Sequence, residues 1–125
     1  MTKLVIDAYA WISYLEGDNE RVKNFIENNN ELYTNIVTVS ETISKAKRKN
    51  MNANLALEAI SSLSNVLNID IDFSNETGLL HAEIRKNIKD FGLADSFVLL
   101  TAIKLNAKIL TGDQHFKNFK EAILI

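Results

Sequence analysis

Short apolar runs rich in β-branched residues alternate with longer segments of helical period along this chain, and that alternation restricts the fold more than any other feature. Lys3-Leu4-Val5-Ile6 opens the series as a buried strand. Ala8, Trp11, Ile12 and Leu15 then recur at helical spacing, and Gly17 ends that helix. Val22, Phe25 and Ile26 mark a second short helix, and Leu32-Tyr33-Thr34 a second strand. Thr38 is expected to begin a third helix, with Val39, Ile43 and Ala46 on one face; Ala56, Ala59, Ile60 and Leu63 mark a fourth. Leu67, Ile69 and Ile71 alternate as strand residues do. Leu80, Ile84 and Ile88 define a longer helix ended near Gly92. Ala94, Phe97, Val98, Thr101 and Leu105 define another, which leads into the strand Ala107-Lys108-Ile109-Leu110. Residues 122–125 form an expected edge strand, and Asn28-Asn29-Asn30 reads as a turn. Strands alternating with helices imply an α/β fold: three layers, with a central, mostly parallel sheet flanked by helices and right-handed crossovers.

Length and composition narrow the choice. At 125 residues, with 46% hydrophobic and 24% charged residues, the chain suits one globular domain over residues 1–125. It has no Cys, which removes disulfides and thiolate metal sites. Its two histidines, His81 and His115, are far apart, so a His-based zinc site has little support. A charge stands too early at the N-terminus for a signal peptide, and the apolar stretch 97–103 is too short to span a bilayer. The expectation is a cytoplasmic protein with no membrane role. A net charge of −2 is unlike a protein that holds nucleic acid by phosphate contacts alone. A nucleic-acid function would need a local basic patch or bound cations.

The carboxylates supply the chemistry. Function in an open parallel sheet collects at the carboxyl ends of the strands. Asp7 directly follows the first strand, and Asp113 follows the strand ending at Leu110. Glu41 and Asp95 lie in the first turns of helices, which start at that same edge. Topology thus lets Asp7, Glu41, Asp95 and Asp113 converge, with Asp70 and Asp72 as weaker members of the rim. Four carboxylates together raise one another's pKa, and a hard divalent cation relieves the repulsion. All-oxygen ligands favour Mg²⁺ or Mn²⁺. Metal-assisted hydrolysis of a phosphodiester is the reaction implied.

Leu4-Val5-Ile6-Asp7, Thr38-Val39-Ser40-Glu41, Gly92-Leu93-Ala94-Asp95 and Ile109-Leu110-Thr111-Gly112-Asp113-Gln114-His115-Phe116, in this order and spacing, resemble the PIN-domain pattern over nearly the whole chain. The resemblance implies a PIN-like fold and a metal-dependent ribonuclease of the VapC toxin type. It further implies an acidic metal site of Asp7, Glu41, Asp95 and Asp113, supported by hydrogen bonding from Thr111. An RNA substrate, a homodimer and a VapB-like antitoxin partner follow from the same likeness. Ser96 departs from the pattern, since many members carry Ala there.

Each residue also has a plainer explanation. Asp7 can cap the following helix, Thr38 and Glu41 fit a capping box, Asp95 suits a helix dipole, and Asp113 suits a turn. Capping does not explain why all four fall on one rim. Lys45, Lys47, Arg48 and Arg85 are candidate RNA contacts, although cations at a helix C-terminus are favoured by the dipole alone. Tyr9, Trp11, Tyr14 and Phe25 could stack bases, but their spacing favours core or dimer interface. His115 could donate a proton; beside Phe116, surface packing is the simpler expectation. Two other functions compete. A phosphoacceptor receiver domain would need paired acids after the first strand and a Lys after the last, and Ala8 follows Asp7. A catalytically weak PIN-like module for RNA or partner binding would normally have lost some of the acids.

Overall fold

The computed structural model describes residues 2–28 and 30–125. Within them, strands β1 Lys3–Ile6, β2 Glu31–Asn35, β3 Asn65–Leu67, β4 Lys108–Thr111 and β5 Ala122–Leu124 form one sheet in the order β3-β2-β1-β4-β5. Every pairing is parallel. Helices α1 Ala8–Glu16, α2 Glu20–Glu27, α3 Ile36–Arg48 and α4 Ala53–Leu63 precede β3; α5 Ile71–Arg85 and α6 Leu93–Leu105 separate β3 from β4. A 3₁₀ turn, Gln114–Phe116, follows β4.

Alternation along β1 explains the three layers. Successive strand side chains point to opposite faces, so a strand covered on both sides must be apolar throughout. Leu4 and Ile6 enter one core with Trp11, Val22, Ile26 and Ile60, from α1, α2 and α4. Val5 enters the opposite core with Phe91, Val98, Leu99 and Phe116. Trp11 is fully buried, and its indole N–H donates to Thr34 Oγ1 at 3.1 Å.

The site is placed by a reversal of strand order. From β1 the chain winds outward to β2 and β3, then returns to pair β4 on the other side of β1. A crevice forms at the carboxyl ends where the winding reverses. Receiver domains use the order 2-1-3-4-5, which this sheet does not follow.

Three boundaries differ from the sequence expectation. Helix α3 begins at Ile36, because Asn35 Oδ1 accepts from Val37 N at 2.8 Å and caps it. Thr38 therefore lies inside the helix; its buried Oγ1 has no partner and no capping box forms with Glu41. The alternation of Leu67, Ile69 and Ile71 does not extend the strand. Asp70 Oδ1 accepts from Phe73 N at 2.8 Å and starts α5 at Ile71. Helix α5 ends at Arg85 rather than near Gly92, and Gly92 instead caps the start of α6. In the Asn cluster, Asn29 lies outside the described residues. Asn28 ends α2 at φ −109°, and among the described residues the asparagines in left-handed backbone are Asn50 and Asn106. Among the described residues no helix is long and apolar enough to cross a membrane.

Candidate active site

Two strand ends set the floor of the site. Asp7 N donates to Leu110 O at 3.1 Å, joining the end of β1 to the end of β4. Asp7 then caps α1, its Oδ1 accepting from Ala8 N at 2.8 Å. Its Oδ2 accepts from Thr111 Oγ1 at 2.7 Å, and Thr111 Oγ1 accepts from Asp113 N at 3.0 Å. One buried hydroxyl thus sets the spacing between the first and last acids. Burial pushes the Asp7 carboxyl above the usual Asp range, and the Asp113 charge adds to the rise; the bonds from Thr111 and Ala8 and the charge of Lys45 oppose it.

The helices bring the other two acids. Glu41 lies in the second turn of α3, half-buried; burial and then the charge of Asp7 raise its pKa, against Lys45 one turn further on. Asp95 is the third residue of α6. A Cβ on Gly92 would come within 3.3 Å of Asp95 Oδ2, so glycine leaves room for the carboxylate to fold back over the helix start. Burial, then the charges of Asp7, Asp113 and Glu41, push the Asp95 carboxyl up to about 7. The four acids predicted from the sequence therefore meet in one electrostatically coupled cluster.

Other expectations separate. Asp70 caps α5, and neither it nor Asp72 is among the charges that raise the cluster's carboxyls. Lys45 acts on both Asp7 and Glu41. Arg48 lines a groove between α1 and α3 that none of the four acids lines, and Lys47 does not line it. Arg85 is exposed and acts on Asp90 and not on the four acids. Ser96 is buried, and its Oγ donates to Gly92 O at 3.3 Å, within its own helix.

His115 is the residue that sequence reasoning undervalued. Asp113 Oδ1 accepts from His115 N at 2.9 Å and so turns the ring back toward the acids. Its Nε2 lies 3.0 Å from Asp90 Oδ2. Its Nδ1 lies 2.9 Å from Asp113 Oδ1, off the hydrogen-bonding direction, and 4.0 Å from Asp95 Oδ2. The bond to Asp90 chiefly raises the His115 pKa and lowers that of Asp90. Carboxylate oxygens of Asp95 and Asp113 and a ring nitrogen of His115 lie within 4.8 Å of one another, a spacing that could hold a metal ion. Asp7 and Glu41 stand outside this tightest group. The signal for His115 was its position two residues after an acid that ends a strand.

Comparison with known proteins bears on the fold and the family. The sequence pattern of the PIN domain matches residues 4–122. No curated protein matches the chain by sequence. Among solved structures, VapBC2 from Rickettsia felis, bound to a promoter DNA fragment, is similar with a TM-score of 0.75 at 19% identity, covering 99% of this chain and 98% of that one. The Mycobacterium tuberculosis toxin VapC20, which cleaves the sarcin–ricin loop, has a TM-score of 0.72 at 14% identity over 91% and 92% of the two chains. VapBC from Salmonella typhimurium, bound to DNA, has a TM-score of 0.72 at 19% identity over 100% and 98%. Those likenesses concern the fold, and the pattern match over almost the full length decides the family: this chain belongs to the PIN domain family.

Proposed function

We propose that residues 1–125 act as one divalent-metal-dependent endoribonuclease, the toxin of a VapBC-type toxin–antitoxin pair. The observation that carries this reading is the convergence of Asp7, Glu41, Asp95 and Asp113 at the carboxyl edge of the sheet, where burial and then the charges of the other three acids push Asp95 to about 7. Four clustered acids, opposed by Lys45 at Asp7 and Glu41, suit a site built around a cation.

The donors assigned to the ion are the carboxylate oxygens of Asp7, Asp95 and Asp113, with Glu41 beside them; Asp95 and Asp113 belong to the tightest group, Asp7 adjoins it through Thr111, and all-oxygen donors suit a hard ion. When bound there, Mg²⁺ or Mn²⁺ would polarise a phosphate oxygen and lower the pKa of water. The chain's own groups do the rest. Thr111 and the Ala8 amide hold the Asp7 carboxylate in one orientation. Glu41, with its raised pKa, orients the attacking water and accepts its proton at a carboxylate oxygen. Lys45, Arg48 and Arg85 are assigned to RNA phosphates, and Lys47 to a peripheral contact. The same reading gives the chain a cytoplasmic location, a homodimeric state and a VapB-like antitoxin as partner.

The test compares wild type with Asp7→Asn on a structured RNA, with Mg²⁺, Mn²⁺ or chelator. Metal-dependent cutting by wild type that is lost in the variant is expected. Absence of cutting together with absence of metal binding by calorimetry would overturn the reading.

A further inference from the structure

His115 is not one of the four acids, yet a nitrogen of its ring stands with carboxylate oxygens of Asp95 and Asp113, all three within 4.8 Å of one another. Two anchors fix the ring there. On its own segment, Asp113 Oδ1 accepts from His115 N at 2.9 Å, and the next residue, Phe116, is fully buried. On the facing segment, Asp90 Oδ2 lies 3.0 Å from His115 Nε2, and the next residue, Phe91, is also fully buried. The Phe91 and Phe116 rings meet edge to face with centroids 5.5 Å apart. The contact between Asp90 and His115 therefore sits beside a packed aromatic pair, and separating the two segments would open the core.

The bond to Asp90 decides which nitrogen faces the acids, and in what form. An ionised carboxylate only accepts, so Nε2 carries the hydrogen and the neutral ring keeps its lone pair on Nδ1. Nδ1 is buried and has no hydrogen-bond partner among the described residues. It lies 2.9 Å from Asp113 Oδ1 and 4.0 Å from Asp95 Oδ2. A lone pair so close to two carboxylates is repelled unless a cation joins them. Bonds of about 2.1 Å place neighbouring donors of an octahedral ion about 3.0 Å apart and opposite donors about 4.2 Å apart. Both Nδ1 distances are close to those values. A histidine that binds metal through one nitrogen commonly donates the other N–H to a carboxylate, which fixes the tautomer and makes the ring a better ligand. Asp90 stands where that partner is needed.

We propose that His115 Nδ1 is a ligand of the divalent ion held by Asp95 and Asp113, with Asp90 keeping the ring in the metal-binding tautomer. The inference rests on the metal-site reading above and adds a nitrogen to its oxygen donors. It also bears on the choice of ion. Mg²⁺ takes oxygen donors, whereas imidazole suits transition ions. The site therefore favours Mn²⁺ over Mg²⁺, and His115 is the residue that makes the difference.

The test uses the whole chain, stripped with chelator and loaded with Mn²⁺ alone. Electron spin-echo spectra of Mn²⁺ on wild type, grown with natural or isotope-labelled histidine, are expected to show a bound nitrogen whose coupling changes with the label. His81 is the chain's other histidine, and its Nε2 lies 3.0 Å from Phe91 O. His81→Gln is expected to keep the coupling. His115→Gln is expected to lose it. By calorimetry, His115→Gln is expected to weaken Mn²⁺ binding about tenfold and Mg²⁺ binding less than about threefold. Asp90→Asn keeps the ring and is expected to weaken Mn²⁺ binding about tenfold. The wild-type spectra need no substitution, so a variant that fails to fold does not blunt the test. Bound Mn²⁺ without a histidine nitrogen in wild type, or equal losses of Mn²⁺ and Mg²⁺ affinity in His115→Gln, overturns the inference and leaves the Asp90–His115 pair as a strut between two segments. A wild type that binds no Mn²⁺ overturns the metal-site reading itself, and this inference with it.

Discussion

The hydroxyl of Thr111 donates to Asp7 Oδ2 at 2.7 Å across 104 residues of sequence, and the same oxygen accepts from Asp113 N at 3.0 Å. Both contacts are lost in Thr111→Val, which keeps the shape of the side chain. The variant leaves Asp7 without its strongest stabilising partner and a backbone N–H without its acceptor, at a cost of about 1–3 kcal/mol. Metal affinity is expected to fall by about 10–100-fold, as for other groups that orient a ligand. Thr111→Ser is expected to restore both. Urea denaturation and calorimetric metal titration of the three proteins check this.

Stability in the absence of metal is expected to fall as pH rises from about 4 to about 7. Asp95 has a folded pKa raised to about 7 from 3.8, so within that window the native state binds more protons than the unfolded chain. The slope of stability against pH is then negative. The raised Asp7 and Glu41 carboxyls and the raised His115 act in the same direction. The Asp95 contribution is up to about 4 kcal/mol, less where salt screens the cluster. Melting curves at pH 5 and pH 8 in chelator measure it. Asp95→Asn is expected to flatten the profile, and Mg²⁺ to restore stability at pH 8.

Asp90 and His115 lie 25 residues apart, and their contact governs the ring's charge. In Asp90→Asn the largest cause of the raised His115 pKa is gone, so the ring is expected to titrate at lower pH than in wild type. A divalent cation held by Asp95 and Asp113 is expected to move it in the same direction, through repulsion of the protonated ring. NMR titration of the imidazole Cε1–H reads both effects. A His115 midpoint that ignores the Asp90 substitution would show that the pair does not form in solution.

How much of this was legible in the sequence depends on the range of the interaction. Asp7 and Asp113 were readable because each ends an apolar strand, and strand ends in a parallel sheet share an edge. Glu41 and Asp95 followed from the same topology. The start of α3 was misplaced by two residues because Thr38 and Glu41 imitate a cap that Asn35 supplies. The third strand was placed too late because Asp70 captures the Phe73 amide and turns the chain helical, which alternation of apolar residues does not reveal. His115 depends on a ring orientation fixed by Asp113 and on an acid far away in sequence, and no local pattern encodes either. The seat of Tyr9 was hidden for a similar reason: its ring lies on Gly112, 103 residues away in sequence, and no local pattern encodes that contact.

That contact makes a sharp prediction. A Cβ on Gly112 would overlap the Tyr9 ring. The backbone at Gly112 is not in the left-handed region, where Gly17 is the glycine with positive φ, so the demand for glycine is steric alone. Gly112→Ala is therefore expected to force the half-exposed ring off its seat, with a loss of about 1–3 kcal/mol from overpacking. In the Tyr9→Ala background the added methyl meets no ring, and the same substitution is expected to be nearly neutral. A double-mutant cycle by urea denaturation should then give a coupling of about 1 kcal/mol or more between two residues 103 apart in sequence. Additive losses would mean that the ring does not rest on Gly112 in solution.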